Sequence, residues 1–188
     1  MFNLPVPFTF QFNVTTAGTP EQLQVKRVAS TIAFSENDDE AAPTGDTITD
    51  SANGFLTAGF QPGDTITVSG SGSNDGTYTV DTVTAGVLTL ISREDLVDEI
   101  SGANVKIVAS KTIPDGISAT IHAKRGNTGD IHVGYSSATA LSTAGASFVL
   151  DSEQAISLQV TNTDCVWLDA TVSGEGVEVI YEKNPQTT

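Results

Sequence analysis

Residues 117–124 read Ile117-Ser118-Ala119-Thr120-Ile121-His122-Ala123-Lys124, an alternation of apolar and polar side chains. Successive side chains of a β-strand point to opposite faces, so a period of two predicts a strand that buries one face. The alternation recurs at Ile131, Val133 and Tyr135, at Ile156, Leu158 and Val160, and at Val166, Leu168, Ala170 and Val172. We therefore expect an all-β fold, an antiparallel β-sandwich resembling a jelly roll.

Turn signals separate these segments: Pro114-Asp115-Gly116, Gly126-Asn127-Thr128-Gly129 and Ser173-Gly174-Glu175-Gly176. The pattern predicts one short helix at Ser92–Ile100, because Ser92 suits an N-cap, acids fill the first turn and Gly102 follows. The single cysteine, Cys165, cannot form an intramolecular disulfide, and we expect it to be a small buried residue on a strand.

Residues 29–108 differ in charge from the rest of the chain. They hold thirteen acidic and two basic residues, a net −11 out of the formal −15. They also contain predicted strands of their own, at Thr65–Val68, Thr77–Val80 and Val87–Leu90. We expect an inserted acidic, β-barrel-like module at 29–108, and a sandwich body made of 1–28 and 109–188. The alternative is one continuous sandwich that carries a long acidic hairpin.

The charge argues against two classes of partner. Binding to nucleic acid or to an anionic membrane needs clustered Lys and Arg, and the eight basic residues here are scattered. No stretch approaches about 18 apolar residues, so no membrane-spanning helix is expected. The first seven residues lack the basic start and long apolar centre of a secretory signal.

Two sets of motifs resemble phage proteins. Gly59-Phe60-x-x-Gly63-Asp64-x-Ile66-x-Val68-x-Gly70 and Asn74-Asp75-Gly76-Thr77-Tyr78 resemble a small β module of phage virion proteins. Asn127-Thr128-Gly129-x-Ile131-x-Val133-Gly134 and Val166-Trp167-Leu168-Asp169-Ala170 are similar to short β-sandwich proteins encoded among phage head and tail genes. The resemblance implies a non-enzymatic virion protein, made in the host cytoplasm, and first of all a head decoration (cement) protein.

The expected partners are therefore the major capsid protein or other virion subunits, together with further copies of the chain in a homo-oligomer, for which a trimer is the guess. Two alternatives stay open: a tail or neck component, and a host-surface adhesion module that binds carbohydrate. The resemblance carries over no catalytic residue, and we expect no cofactor and no metal.

Four residues are candidates for a protein interface. Phe2, Leu4 and Val6 belong to an apolar N-terminal segment in which Pro5 and Pro7 favour an extended backbone. Trp167 points away from the apolar face formed by its strand neighbours, as an interface anchor would. Phe8, Phe10 and Phe12 we assign instead to the first strand of the sandwich.

Two clusters have a metal-binding interpretation and a simpler one. His122 and His132 could face each other across a hairpin and bind a transition metal, but we expect solvated rings on a sheet surface. Glu36, Asp38, Asp39 and Glu40 could hold calcium, but they lack the ligand spacing of a known loop, and a solvated loop is expected.

Overall fold

The computed structural model describes residues 6–37, 45–143 and 145–183, with the backbone alone at 6, 7, 182 and 183. The chain divides into two compact units. The first, called the body below, comprises 1–24 and 111–188, and the second, called the module, is Val25–Ser110. The module thus begins four residues earlier and ends two residues later than the expected 29–108.

Fifteen strands and two four-residue helices lie in the described residues. The strands are β1 (Val6–Asn13), β2 (Glu21–Gln22), β3 (Val25–Ala29), β4 (Ile32–Ser35), β5 (Thr47–Asp50), β6 (Thr65–Ser69), β7 (Gly76–Val83), β8 (Val87–Leu90), β9 (Val105–Ala109), β10 (Ala119–Ala123), β11 (Ile131–Gly134), β12 (Phe148–Leu150), β13 (Ala155–Leu158), β14 (Trp167–Ala170) and β15 (Gly176–Lys183). The helices are α1 (Phe55–Ala58) and α2 (Ser137–Ala140), and Thr163–Cys165 forms a 3₁₀ turn.

The body contains two four-stranded antiparallel sheets. One has the order β1-β15-β10-β13 and the other the order β12-β11-β14-β2. Strands β1 and β15 pair with each other. Between β10 and β15, the connection from β11 to β12 stays within one sheet, and the other four connections cross from one sheet to the other. This strand order is that of an eight-stranded jelly roll. The predicted all-β sandwich is confirmed.

The core of the body begins with β1. Phe8, Phe10 and Phe12 alternate with polar residues and are buried, as the sequence predicts. The ring of Phe8 meets that of Tyr181 edge-on at 5.2 Å, because Phe8 and Tyr181 are register partners on β1 and β15. Each buried phenylalanine contributes about 1.5–3 kcal/mol, so β1 is firmly attached to β15.

The module is one seven-stranded antiparallel sheet in the order β3-β9-β6-β7-β8-β5-β4. Strand β7 pairs with β6 through its first half and with β8 through its second half, and a register shift between Val80 and Thr82 separates the two halves. Such a bulge bends the strand and increases its twist. The three strands expected at 65–68, 77–80 and 87–90 are confirmed, while the sheet does not close into the expected barrel.

The prediction of a helix at Ser92–Ile100 is wrong. Its backbone donors bind distant partners instead of the preceding turn: the Leu96 N–H donates to the Asp46 carboxylate, and the Val97 N–H donates to the side chain of Asn74. Glu99 then forms a bridge with Phe34 on β4. The long-range hydrogen bonds satisfy the N–H groups that a helix would have used, so the local helical signal is overridden.

Asp50 holds one corner of the module together. Its carboxylate is 1% exposed and accepts hydrogen bonds from the Thr31 hydroxyl, from the N–H groups of Ala52 and Gly54, and from Arg27 at 2.7 Å. Burial raises the pKa of Asp50, but these hydrogen bonds together outweigh burial and hold the pKa below its ordinary value. The carboxylate thereby ties the β3–β4 turn to the segment that leads into α1.

The first prediction concerns the independence of the body. The module can be excised cleanly because Val25 and Ala109, near its two ends, are register partners on neighbouring strands. A variant that joins Gln24 to Lys111 through a short glycine-containing turn should keep β-sheet circular dichroism and a cooperative thermal transition. Loss of cooperative melting would show that the body needs the module to fold.

The second prediction concerns Asp50. Asp50→Asn should lower the free energy of unfolding by about 3 kcal/mol at pH 7, because Arg27 loses its charged partner at a buried site. The ionised carboxylate stabilises the fold at pH values above 3.8, the ordinary pKa, and this contribution disappears as the pH falls through the lower folded pKa.

The difference between wild type and variant, measured by urea denaturation, should therefore shrink in strong acid. Asp81→Asn, at an exposed position on β7, is the matched control and should have little effect at either pH. A gap between wild type and Asp50→Asn that stays constant with pH would contradict this account.

Candidate interaction site

The four predicted interface residues have different outcomes. Phe2 and Leu4 lie outside the described residues. Val6 begins β1, where its backbone is the register partner of Lys183. Trp167 is half-buried on β14, between register partners Gly134 and Gln22. Their role at an interface stays a prediction.

An apolar pocket of about 270 Å³ opens on the body. It is lined by Val133, Gly134, Tyr135, Ser136, Thr139, Ala146, Phe148 and Leu158. All eight residues are uncharged, and two of them are aromatic and largely exposed: Tyr135 at 62% and Phe148 at 65%. Exposed aromatic rings around an apolar concavity are typical of sites that bind another molecule.

The pocket exists because both sheets end on the same side. Strand β12 is an edge of one sheet and β13 is an edge of the other. Phe148 is the register partner of Val133, so these two side chains share the inner face of their sheet. Leu158 contributes from the opposite sheet. At this edge the core between the sheets reaches the surface.

Helix α2 builds the rim of the pocket. Ser136 caps it, with its hydroxyl accepting from the Thr139 N–H at 3.2 Å, and the Thr139 hydroxyl accepts from the N–H groups of Tyr135 and Ser136. These two hydroxyls therefore serve the helix cap. The helix also approaches β11 closely at Gly134, where an added Cβ would lie 2.5 Å from the Ala140 nitrogen.

The sequence interpretation missed this surface. We expected Tyr135 on the apolar face with Ile131 and Val133, but β11 ends at Gly134 and Tyr135 lies beyond it. Phe148, Val149 and Leu150 form an unbroken apolar run, in which a strand must turn at least one side chain away from the core. The side chain turned away is that of Val149, so the run indicated an exposed apolar edge but not the exposure of Phe148 on the inner face. Val172, likewise expected in the core, lies beyond the end of β14 and is 42% exposed.

A polar cluster lies on β11 and β14, on the opposite face of their sheet from Val133. His132 is 7% exposed, and its Nδ1 lies 2.7 Å from the Ser147 hydroxyl, while its Nε2 has no hydrogen-bond partner among the described residues. Its register partner Asp169 is fully buried. The Asp169 carboxylate accepts the N–H groups of Gly18, Ser142 and Ala170.

This cluster stabilises the fold by joining separate segments of the chain. A hydroxyl beside an imidazole is the first part of a nucleophilic site, but the carboxylate that would orient the imidazole is occupied by three backbone donors. Asp169 instead ties β14 to the turn at Gly18 and to the segment after α2. Asp169 lies two residues after Trp167 and therefore on the strand face that was expected to point away from the main core, but no local pattern indicated the segment that covers it.

Three expectations about single residues are corrected. His122 and His132 do not face each other, because β10 and β11 belong to different sheets, and the loop between them crosses the sandwich instead of forming a hairpin. His132 is buried instead of solvated, whereas His122 is partly exposed and lies 3.9 Å from Glu178. Cys165 is exposed at the end of the 3₁₀ turn instead of buried on a strand.

Away from the pocket, a charged side chain of the body joins two loops through hydrogen bonds. The Glu175 carboxylate accepts the N–H and hydroxyl of Thr128 and the N–H of Gly129, joining the 126–130 loop to the turn before β15. Burial raises the pKa of Glu175, but these hydrogen bonds outweigh it and lower the pKa. The pocket, by contrast, has an uncharged lining.

Of the four acidic residues considered for calcium, the structure describes Glu36. The Glu36 N–H donates to the Asp98 carboxylate at 3.0 Å, and Asp38, Asp39 and Glu40 lie outside the described residues. Among residues 6–37, 45–143 and 145–183, no group of three or more His, Cys, Asp or Glu side chains is placed to hold a metal ion. The solvated loop expected at Glu36, Asp38, Asp39 and Glu40 therefore stays a prediction.

Comparison with known proteins identifies no relative: no protein-family model, curated protein or solved structure gives a match to the chain. Within the described part of the chain, no helix has the length and apolar character needed to cross a membrane.

The third prediction tests how the pocket rim is built. Gly134→Ala should lower the free energy of unfolding by about 1–3 kcal/mol, because the new methyl group collides with the backbone of α2. Gly126→Ala is the matched control, since a Cβ there meets nothing within 4 Å. Denaturation followed by Trp167 fluorescence checks both variants, and equal stabilities would mean that α2 does not pack against β11 as described.

Proposed function

We propose that the protein is a structural subunit of a tailed-bacteriophage particle, and specifically a capsid decoration protein that acts through contacts between protein surfaces. The observation that carries the proposal is the apolar pocket with its two exposed aromatic rings, Tyr135 and Phe148, at the open edge of a jelly roll. Jelly rolls serve as building units of viral capsids. The motif resemblance to phage head and tail proteins supports the same function.

The proposed mechanism is stabilisation by binding to the assembled state. A subunit that binds the assembled shell, but not the separate shell proteins, shifts the equilibrium toward the shell by mass action. Aromatic side chains that become buried at a contact are common sources of its binding energy. The pocket suits such a contact because no charged lining residue has to be desolvated.

The acidic module has a separate part in this proposal. Residues 25–110 contain thirteen acidic and four basic residues, and therefore carry −9 of the formal −15. A strongly negative outer surface keeps particles dispersed by mutual repulsion. The body carries the remaining −6, and its uncharged pocket is a surface suited to contact with another subunit, which includes a second copy of this chain.

Carbohydrate binding at a host surface is a second candidate, favoured by the same Tyr135 and Phe148. Sugar-binding sites combine an aromatic ring with polar groups that fix the orientation of the ligand. Of the three hydroxyls in the lining, those of Ser136 and Thr139 bind each other and the backbone of the α2 cap, which leaves the Tyr135 phenol as the remaining polar side-chain group. An apolar protein side chain therefore fits the pocket better than a sugar.

A tail-tube function has less support. Tube subunits join through long continuous sheets, whereas three of the four edge strands of the body are short: two residues in β2, three in β12 and four in β13. Short edges offer few backbone groups for pairing with another chain.

The fourth prediction tests the proposal directly. Particles of the encoding phage should contain the chain in many copies, and after heads and tails are separated by density the chain should remain with the heads, as measured by quantitative mass spectrometry. Recovery with tails would indicate the tail alternative. Absence from particles, together with retention on a host polysaccharide column, would establish the adhesion alternative and refute the proposal.

A further inference from the structure

The chain itself contains a short apolar segment whose chemistry matches that of the pocket. We propose that residues 1–5 of one copy bind in the pocket of a second copy, so that the protein self-associates by exchanging its N-terminal segment. This segment, Met1-Phe2-Asn3-Leu4-Pro5, has no charged side chain, and its large apolar residues Phe2 and Leu4 alternate as in an extended strand.

Charge favours this occupant. Two copies of a chain with a formal charge of −15 repel each other, so a self-contact is most favourable where neither surface is charged. The eight lining residues of the pocket and the five residues of the segment are all uncharged in their side chains. A cavity of about 270 Å³ can also accept a phenylalanine or leucine side chain, which the segment provides.

The reach of the segment favours a second copy over the same copy. Thr9, Ile180, Thr120 and Ser157 lie side by side across four strands, which places β1 and β13 at opposite edges of one sheet. Leu158 is therefore three strand spacings across and about two residues along from Val6, a distance of about 16 Å. The backbone from Val6 to Phe2 extends about 14 Å at most, so the same copy brings Phe2 to the pocket only with the segment fully extended straight across the sheet, whereas the segment of a second copy has no such restriction.

The open edge offers a second source of affinity. Among the described residues, no strand pairs with the outer side of β12, and Phe148 and Val149 on it are exposed. Because β12 has only three residues, an extended segment can form only a few main-chain hydrogen bonds with it, while alternate side chains of the segment fill the adjacent pocket. Phe2 and Leu4 have that alternate spacing, whereas Pro5 would end the pairing because it has no N–H group.

The experiment uses the purified full-length chain without particles, so its result is independent of whether the protein is a virion component. Sedimentation velocity over a range of concentrations should show self-association of the wild type. A segment variant, Phe2→Ser with Leu4→Ser, and a pocket variant, Phe148→Ser, should each weaken association about 100- to 10,000-fold, because an exchange between two copies contains the apolar contact twice and each contact contributes about 10- to 100-fold.

Mixing the two variants is the decisive measurement. The segment variant keeps an intact pocket and the pocket variant keeps an intact segment, so their equimolar mixture should form a one-to-one dimer that neither forms alone. This recovery also shows that both variants are folded. The matched control, Ile180→Ser, changes an exposed apolar residue on β15 and should associate like the wild type.

Three results would overturn the proposal. The first is a wild type that stays monomeric at every concentration. The second is a Phe148→Ser variant that associates as well as the wild type. The third is a mixture without dimer although both variants alone have lost association, because an intact segment and an intact pocket then do not contact each other between copies.

Discussion

The open edge of the body is the constraint on which the functional argument depends. Two packed sheets that do not close into a barrel must end somewhere, and at β12 and β13 they end on the same side. Inner-face side chains near such an edge lack a covering layer, which is why Phe148 is largely exposed although its face-mate Leu150 is buried. The pocket is thus a direct result of the strand order, and any partner that fills it completes the core.

The buried carboxylates of this acidic chain stabilise turns by accepting hydrogen bonds from the backbone. Asp50 and Asp169 are nearly or fully buried, and each accepts several hydrogen bonds from the backbone of neighbouring turns. Glu175 does the same for the 126–130 loop. Strand pairing leaves the turns of a sandwich with unsatisfied N–H groups, and an ionised carboxylate is a strong acceptor for two or three of them. Acidic residues here therefore also fasten turns.

Period-two patterns predicted the strands well, because burial of alternate side chains depends only on local spacing. Phe8, Phe10 and Phe12 are buried as expected, and Val87–Leu90 is a strand with the expected bounds. The failures share a physical cause, which is that long-range partners are not visible locally. Ser92–Ile100 lost its helix to Asp46 and Asn74, and His122 was separated from His132 by a sheet crossing. For the same reason, the pocket could not be located before both edges were known.

Strong negative charge and self-association are compatible at ordinary ionic strength. At 0.15 M salt the screening length is about 8 Å, so charges farther than that from a contact oppose it little. What matters is the local surface, and the pocket lining is uncharged. At low salt the same contact has to overcome the field of all −15 charges. An apolar contact on an acidic protein therefore strengthens as salt is added, whereas a contact made through ion pairs weakens, and this difference in sign separates the two kinds of interface without any variant.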